Sequence, residues 1–208
     1  MSDDPLLAEE EEELAISPRA IRAFAVIFYA LRGAAGLLWT RQRTGAWLPA
    51  SVTGGDAVAS LLYGICLAAL VITATGPMIR WLPWMRWLSL EMRRLLGPID
   101  LRTALVVAVA SGIGEEVFFR GALLPVAGLT VSSLIFAAVH TGPDRRYLAW
   151  TAFSLAIGFA LGGITVATGS LVGAAVAHIL INAVNLRRIG RLRIAAVDNP
   201  ETRASVPE

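Results

Sequence analysis

Six apolar stretches, at about 20–39, 56–79, 102–124, 126–140, 147–167 and 170–186, follow one another along the chain, and they leave it few ways to fold. A helix needs roughly 20 apolar residues to cross the hydrocarbon of a bilayer. In lipid, only helices and closed barrels satisfy every backbone N–H and C=O. The runs are too long for barrel strands of about 9–11 residues. The chain therefore reads as an all-α, polytopic transmembrane bundle of about six spans. With 56% hydrophobic residues and a mean hydropathy of +0.64, it is too apolar for a soluble domain of this length. Two stretches are irregular. Arg32 interrupts the first, and the fourth has 15 residues unless it starts at Ala122 and bends at Pro125. Such irregularity is tolerated where protein, not lipid, surrounds the backbone, so the fourth span is expected in the interior.

Between the second and third spans, WLPWMRWLSLEMRRLLG (81–97) interleaves tryptophan and leucine with arginine and glutamate. This pattern predicts an interfacial amphipathic helix whose tryptophans anchor the bundle at the headgroups. Small residues at Gly158 and Gly162, and at Gly169, Gly173 and Ala177, have the spacing that lets membrane helices approach closely. Residues 1–17 form an acidic tail expected to be disordered and 191–208 a polar one, flanking a membrane domain over 18–190. The acidic start lacks the positive charge and cleavage site of a secretory signal. Cys66 has no second cysteine to pair with, which excludes a disulfide framework.

All 18 basic residues are arginine. If the spans alternate, one side of the membrane receives Arg19, the arginines of 80–102, Arg145, Arg146, Arg187, Arg188, Arg191 and Arg193, and the other receives Arg41 and Arg43. The positive-inside bias then puts both termini in the cytoplasm. No basic face suited to nucleic acid is present. A short, lysine-free chain without long polar domains reads as a bacterial inner-membrane protein, with the lipid bilayer and a membrane protein or peptide as its partners.

The chemistry lies in the charges that interrupt these spans, because each one costs roughly 2.5–3.5 kcal/mol at the bilayer centre. In GEEVFFRG (114–121), Glu116 and Arg120 are four apart and share a helix face, so they can pair. Glu115, about 100° around the helix, is left without a local cation. Both histidines of the chain, His140 and His178, also fall in apolar spans. Asn182 stands one turn after His178, and Phe136 one turn before His140. At 1.5 Å per residue, Glu115, His140 and His178 lie roughly 14, 21 and 12 Å from the arginine-poor face, so they can meet. A buried carboxylate beside two imidazoles and an amide suits hydrolysis, with the glutamate deprotonating water and the His and Asn donors stabilising an oxyanion. None of Ser111, Ser132, Ser133, Ser154 and Ser170 has a G-x-S-x-G setting. H-E-x-x-H is also absent.

E-E-V-F-F-R at 115–120, F-A-A-V-H at 136–140 and H-I-L-I-N at 178–182 resemble, in order, placement and identity, the three motifs of the CPBP family. That family contains the type II CAAX prenyl endopeptidases and the Abi-like intramembrane proteases. The resemblance covers about residues 100–186, the expected protease core. It implies an intramembrane endopeptidase in which Glu115 activates the attacking water, His140 helps hold it, and His178 and Asn182 bind the oxyanion. Glu116 and Arg120 would be a supporting pair, and Phe136 would shape the site. The family is similar in being glutamate-dependent, which implies no required cofactor. Glu115, His140 and His178 are also sufficient in number for a catalytic zinc, which is the alternative. Asn182 favours the metal-free form, because an oxyanion hole uses a neutral donor that a zinc shell does not.

Two other classes compete. A non-catalytic membrane protein, such as a bacteriocin-immunity relative or a scaffold, has no need of an unpaired glutamate beside two histidines in lipid. A proton-coupled transporter is expected to show paired, internally repeated halves, and no such repeat is visible in the sequence.

Overall fold

The computed structural model describes residues 17–192, so the acidic tail before Ser17 and the polar tail beyond Leu192 lie outside the described residues. Helix α1 spans Pro18–Thr44, the single turn α2 Ala50–Thr53, α3 Ala57–Trp81 and α4 Pro83–Leu96. Helix α5 (Leu101–Glu116) runs into a π-helical segment (Val117–Leu123) and on into α6 (Leu124–Ala138). A 3₁₀ turn (Arg145–Tyr147) leads to α7 (Leu148–Thr168), and α8 covers Val172–Gly190. Among the described residues there is no strand. The all-α bundle is therefore the observed architecture.

Four helical runs are long and apolar enough to cross a membrane: Pro18–Thr44, Ala57–Trp81, Leu101–Ala138 and Arg145–Thr168. The protein is thus an integral membrane protein. Helix α8 has 19 residues but interrupts its apolar surface with His178, Asn182, Asn185, Arg187 and Arg188. It packs along both α3 and α5.

The expected third and fourth spans form one unbroken helical run in the chain, yet they do not form one rod. Ser132 Oγ donates to the Phe119 carbonyl at 3.2 Å, and the Phe119 and Phe136 rings are 5.1 Å apart. In a straight helix, positions 119 and 136 would stand about 25 Å apart. The chain therefore folds back on itself. The reversal is at Gly128, with φ 75° and ψ 171°, and not at Pro125 as the sequence suggested. Proline is tolerated in the first turn of a helix, and Pro125 sits in that turn of α6. Reversing direction takes a left-handed residue, which glycine supplies without a steric penalty. Helix α6 beyond the turn is short and buries only one face, with Ser132, Ser133, Phe136 and Ala137; Val131, Leu134 and Ile135 on the other face are exposed, so the span is peripheral and not the interior element expected from its irregularity.

Close backbone approach fixes the other crossings. A Cβ at Gly173 of α8 would collide with the Ser60 carbonyl of α3, and one at Gly64 with the Gly173 carbonyl. Ser60 Oγ accepts from Gly173 N–H at 2.9 Å and donates to the Ser170 carbonyl at 2.8 Å. Small residues thus allow the contact and a hydroxyl ties it, as interhelical hydrogen bonding in membranes favours. Gly158 and Gly162 of α7 make room for Ser133 and for the Leu129 side chain of α6.

Helix α4 does more than anchor. Met85, Leu88 and Ser89 are buried, Trp87 meets Tyr147 edge-on at 5.5 Å, and Trp84, Met85, Leu88 and Met92 line an internal cavity. Its apolar face therefore turns to protein, so it forms a wall of the bundle.

Candidate active site

The C-terminal end of α5 carries Glu115 and Glu116, 3% and 0% exposed, and the π segment carries Arg120, 2% exposed. A π turn is frequent at functional sites. Here it keeps Glu116 and Arg120 in register: Arg120 Nη1 donates to Glu116 Oε1 at 3.0 Å, and its Nη2 donates to the Gly158 carbonyl at 3.0 Å. The Arg120 guanidinium also lies 4.6 Å from the Phe136 ring centroid. The expected pair is present, and it is shared with a third group. His178 Nδ1 stands 2.8 Å from the same Glu116 Oε1, while Glu116 Oε2 is buried without a hydrogen-bond partner.

The Gly128 reversal places His140 level with Glu115. Both lie about 12 residues from the apex, roughly 19 Å along their helices. The sequence depths differed because the third span was taken to end at 124, whereas helical structure continues through the π segment into α6. His140 Nε2 is 3.7 Å and His178 Nε2 3.8 Å from Glu115 Oε2. The three groups do converge.

Proton positions follow from the partners. The His140 Nδ1 contact at 2.7 Å is to the Phe136 carbonyl, and the His178 Nδ1 contact is to a carboxylate. Both partners are acceptors, so both Nδ1 atoms carry hydrogen. The Nε2 atom of each ring is the one that faces Glu115 Oε2. Phe136 packs against His140 with ring centroids 4.4 Å apart, and against His178 at 6.1 Å. Trp150 closes the other edge of His140 at 5.8 Å. Asn182 Nδ2 donates to Ser111 Oγ at 3.0 Å, which uses one of its two hydrogens.

One sequence expectation needs correcting. Glu115 does have a cation, supplied by another helix: Arg32 Nη1 of α1 donates to Glu115 Oε1 at 2.5 Å. Arg32 is the sole charge in the apolar run 23–40. An intramembrane charge asks for a partner, so Arg32 could have been found by that signal, though not by helical spacing.

These groups form the inner, polar end of a cavity of about 470 Å³. Its walls are apolar, with Phe24 and Phe28 of α1, Leu88 and Met92 of α4, and Ile157 of α7 among them. It extends past Ile21, Leu96 and Ile189, at the ends of α1, α4 and α8 where the arginines cluster.

The zinc alternative can be tested against the donor atoms. Oxygen and nitrogen ligands on a tetrahedral zinc at 2.0–2.1 Å stand about 3.4 Å apart, slightly closer than the 3.7 and 3.8 Å here. Among the described residues, no group of three or more His, Cys, Asp and Glu is arranged to hold a metal ion. Glu115 already has the Arg32 guanidinium on its other oxygen, and a second cation there would be repelled. The donor set fits zinc poorly.

Residues 97–184 match the family described as Rce1-like, the type II CAAX prenyl endopeptidases. The matched stretch is less than half of the chain. It contains every motif residue singled out in the sequence, and it leaves out Arg32. The uncharacterized protein YpbD of Bacillus subtilis (strain 168) is 32% identical over 126 residues, which cover 59% of this chain and 65% of that protein. The alignment thus spans less than two thirds of that relative's length. No solved structure matches the chain. The matched segment runs from α5 into α8, ending at residue 184, and the walls contributed by α1, α3 and α4 lie before it.

Proposed function

We propose that the protein is an intramembrane endopeptidase that hydrolyses a peptide bond of a membrane-embedded or membrane-delivered substrate, with Glu115 as the base. The observation that carries this reading is the convergence of Glu115 Oε2 with two imidazole Nε2 atoms on the wall of a largely apolar cavity. The Rce1-like family supports it as a protease.

A water among these acceptors is held by hydrogen bonds to Glu115 Oε2 and His140 Nε2. Glu115 takes a proton as the water oxygen bonds to the scissile carbonyl carbon. The carbonyl oxygen takes up the negative charge and meets the second Asn182 Nδ2 hydrogen. His178 adds a donor when it carries a proton on Nε2, and the Glu116 carboxylate at its Nδ1 holds the ring in orientation, as a carboxylate does behind a catalytic histidine. Collapse breaks the C–N bond, and the proton held by Glu115 passes to the leaving amine. No metal takes part in these steps. The Arg32 countercharge on Glu115 supports that reading, as does the spacing of the donors.

Substrate reaches the site from lipid. Helix α1 packs on α5 and the π segment, and α4 packs on α3 and α8. Both α1 and α4 line the cavity, and Phe24, one of the lining residues, is 69% exposed. The cavity leads to the arginine-rich end, so by the positive-inside rule the site opens toward the cytoplasm, where both termini lie. The membrane is the bacterial inner membrane.

The experiment is N-terminal proteomics of membranes from cells carrying wild type or Glu115→Gln. Fragments present with wild type and lost with the variant identify substrate and cut site. Identical fragment sets would refute the proposal.

A further inference from the structure

The cation nearest the reacting groups comes from outside the matched segment. Arg32 of α1 donates from Nη1 to Glu115 Oε1, and its guanidinium carbon lies 4.9 Å from the Phe28 ring centroid and 5.6 Å from that of Phe119. Its register is set by close helix approach. A Cβ at Gly36 would stand 2.9 Å from the Phe118 Cα, and Gly33 faces Gly114. A side chain at Gly36 would push α1 away from the π segment, and one at Gly114 would strike the Tyr29 carbonyl of α1 and push α1 away from α5, in either case moving Arg32.

We propose that Arg32 is a positioning residue for Glu115, which makes α1 part of the active centre. The proposal rests on the reading of Glu115 as the base. The carboxylate of a glutamate turns about its last side-chain bond with little preference. With Oε1 held by Arg32, Oε2 is left facing His140 and His178 Nε2. The guanidinium also supplies the countercharge that a 3%-exposed carboxylate needs in this setting. Its planar fork, in contact with two rings, has a fixed direction that a lysine ammonium lacks.

The test compares wild type, Arg32→Gln, Arg32→Lys and Glu115→Gln, purified and reconstituted in liposomes. The probe is an internally quenched peptide spanning the cut site found by the membrane proteomics. The expected result is a kcat about a hundredfold lower for Arg32→Gln, the loss that a misplacement of about 1 Å brings, with KM within about twofold of wild type. Arg32→Lys is expected to recover part of kcat, with KM again within about twofold of wild type. Wild-type kcat in Arg32→Gln, or a loss confined to KM, overturns the proposal. If Arg32→Gln fails to accumulate, Arg32→Lys decides: a reduced kcat at unchanged KM supports the positioning role, and a wild-type kcat overturns it. Glu115→Gln separates the two readings. An active Glu115→Gln would remove the base assignment itself, whereas an inactive Glu115→Gln beside a fully active Arg32→Gln would remove the role of Arg32 alone.

Discussion

Glu116→Ala removes the acceptor shared by Arg120 and His178. Glu116 is 0% and Arg120 2% exposed, so the lost carboxylate is not replaced by bulk solvent. The Arg120 bond to Gly158 O and its contact with the Phe136 ring exist before and after the change, so they offset nothing. Removing one partner of a buried pair costs about 3–5 kcal/mol. For a chain of 150–250 residues, each kcal/mol moves the melting midpoint by roughly 2–4 °C. Glu116→Ala should therefore melt on the order of 6–20 °C below wild type. Glu116→Gln keeps an oxygen at Oε1 for Arg120 and His178 and loses the charge, so its cost is nearer the roughly 1.5–3 kcal/mol of a charged hydrogen bond. Thermal unfolding in detergent, followed by tryptophan fluorescence, measures both. A Glu116→Ala midpoint within about 2 °C of wild type would refute the reasoning, because a buried Arg120 would then be stable without its partner.

Two further outcomes follow from the same arrangement. In a Cys66→Ala background, Thr44→Cys at the end of α1 and Asp144→Cys ahead of α7 should label from opposite sides of the membrane. Thr44→Cys should react with an impermeant reagent added to intact cells, and labelling of Asp144→Cys instead would invert the orientation. Prolonged chelation of the purified protein at neutral pH should leave its cleavage rate unchanged. Activity lost on chelation and restored by zinc would recast Glu115, His140 and His178 as ligands.

The parts of the site legible in the sequence are those fixed by short spacing. Glu116 with Arg120, His178 with Asn182, and Phe136 with His140 each lie four apart; the first pair bonds across the junction of α5 with the π segment, the second shares α8, and in the third His140, just past the end of α6, packs on the Phe136 ring. Depth along the spans also made the meeting of Glu115, His140 and His178 legible, but not which pairs bond across helices. Arg32 is 83 positions from Glu115 and Glu116 is 62 from His178. No period links them, because helix packing decides which faces meet. The reversal at Gly128 was hidden by Pro125, the stronger helix breaker by composition, which the first turn of α6 absorbs. Helix α4 was legible as amphipathic, but amphipathicity does not say whether its apolar face meets lipid or protein, and here it meets the cavity.

The most direct test of the account is the cleavage rate of purified Glu115→Gln on the quenched peptide. Glutamine keeps the size and the oxygen that Arg32 contacts, and it cannot take a proton from water. General-base catalysis contributes about 10²–10⁴-fold, so the account predicts a rate at least about a hundredfold below wild type, with the protein still inserted and monodisperse. A rate within a few-fold of wild type would contradict it.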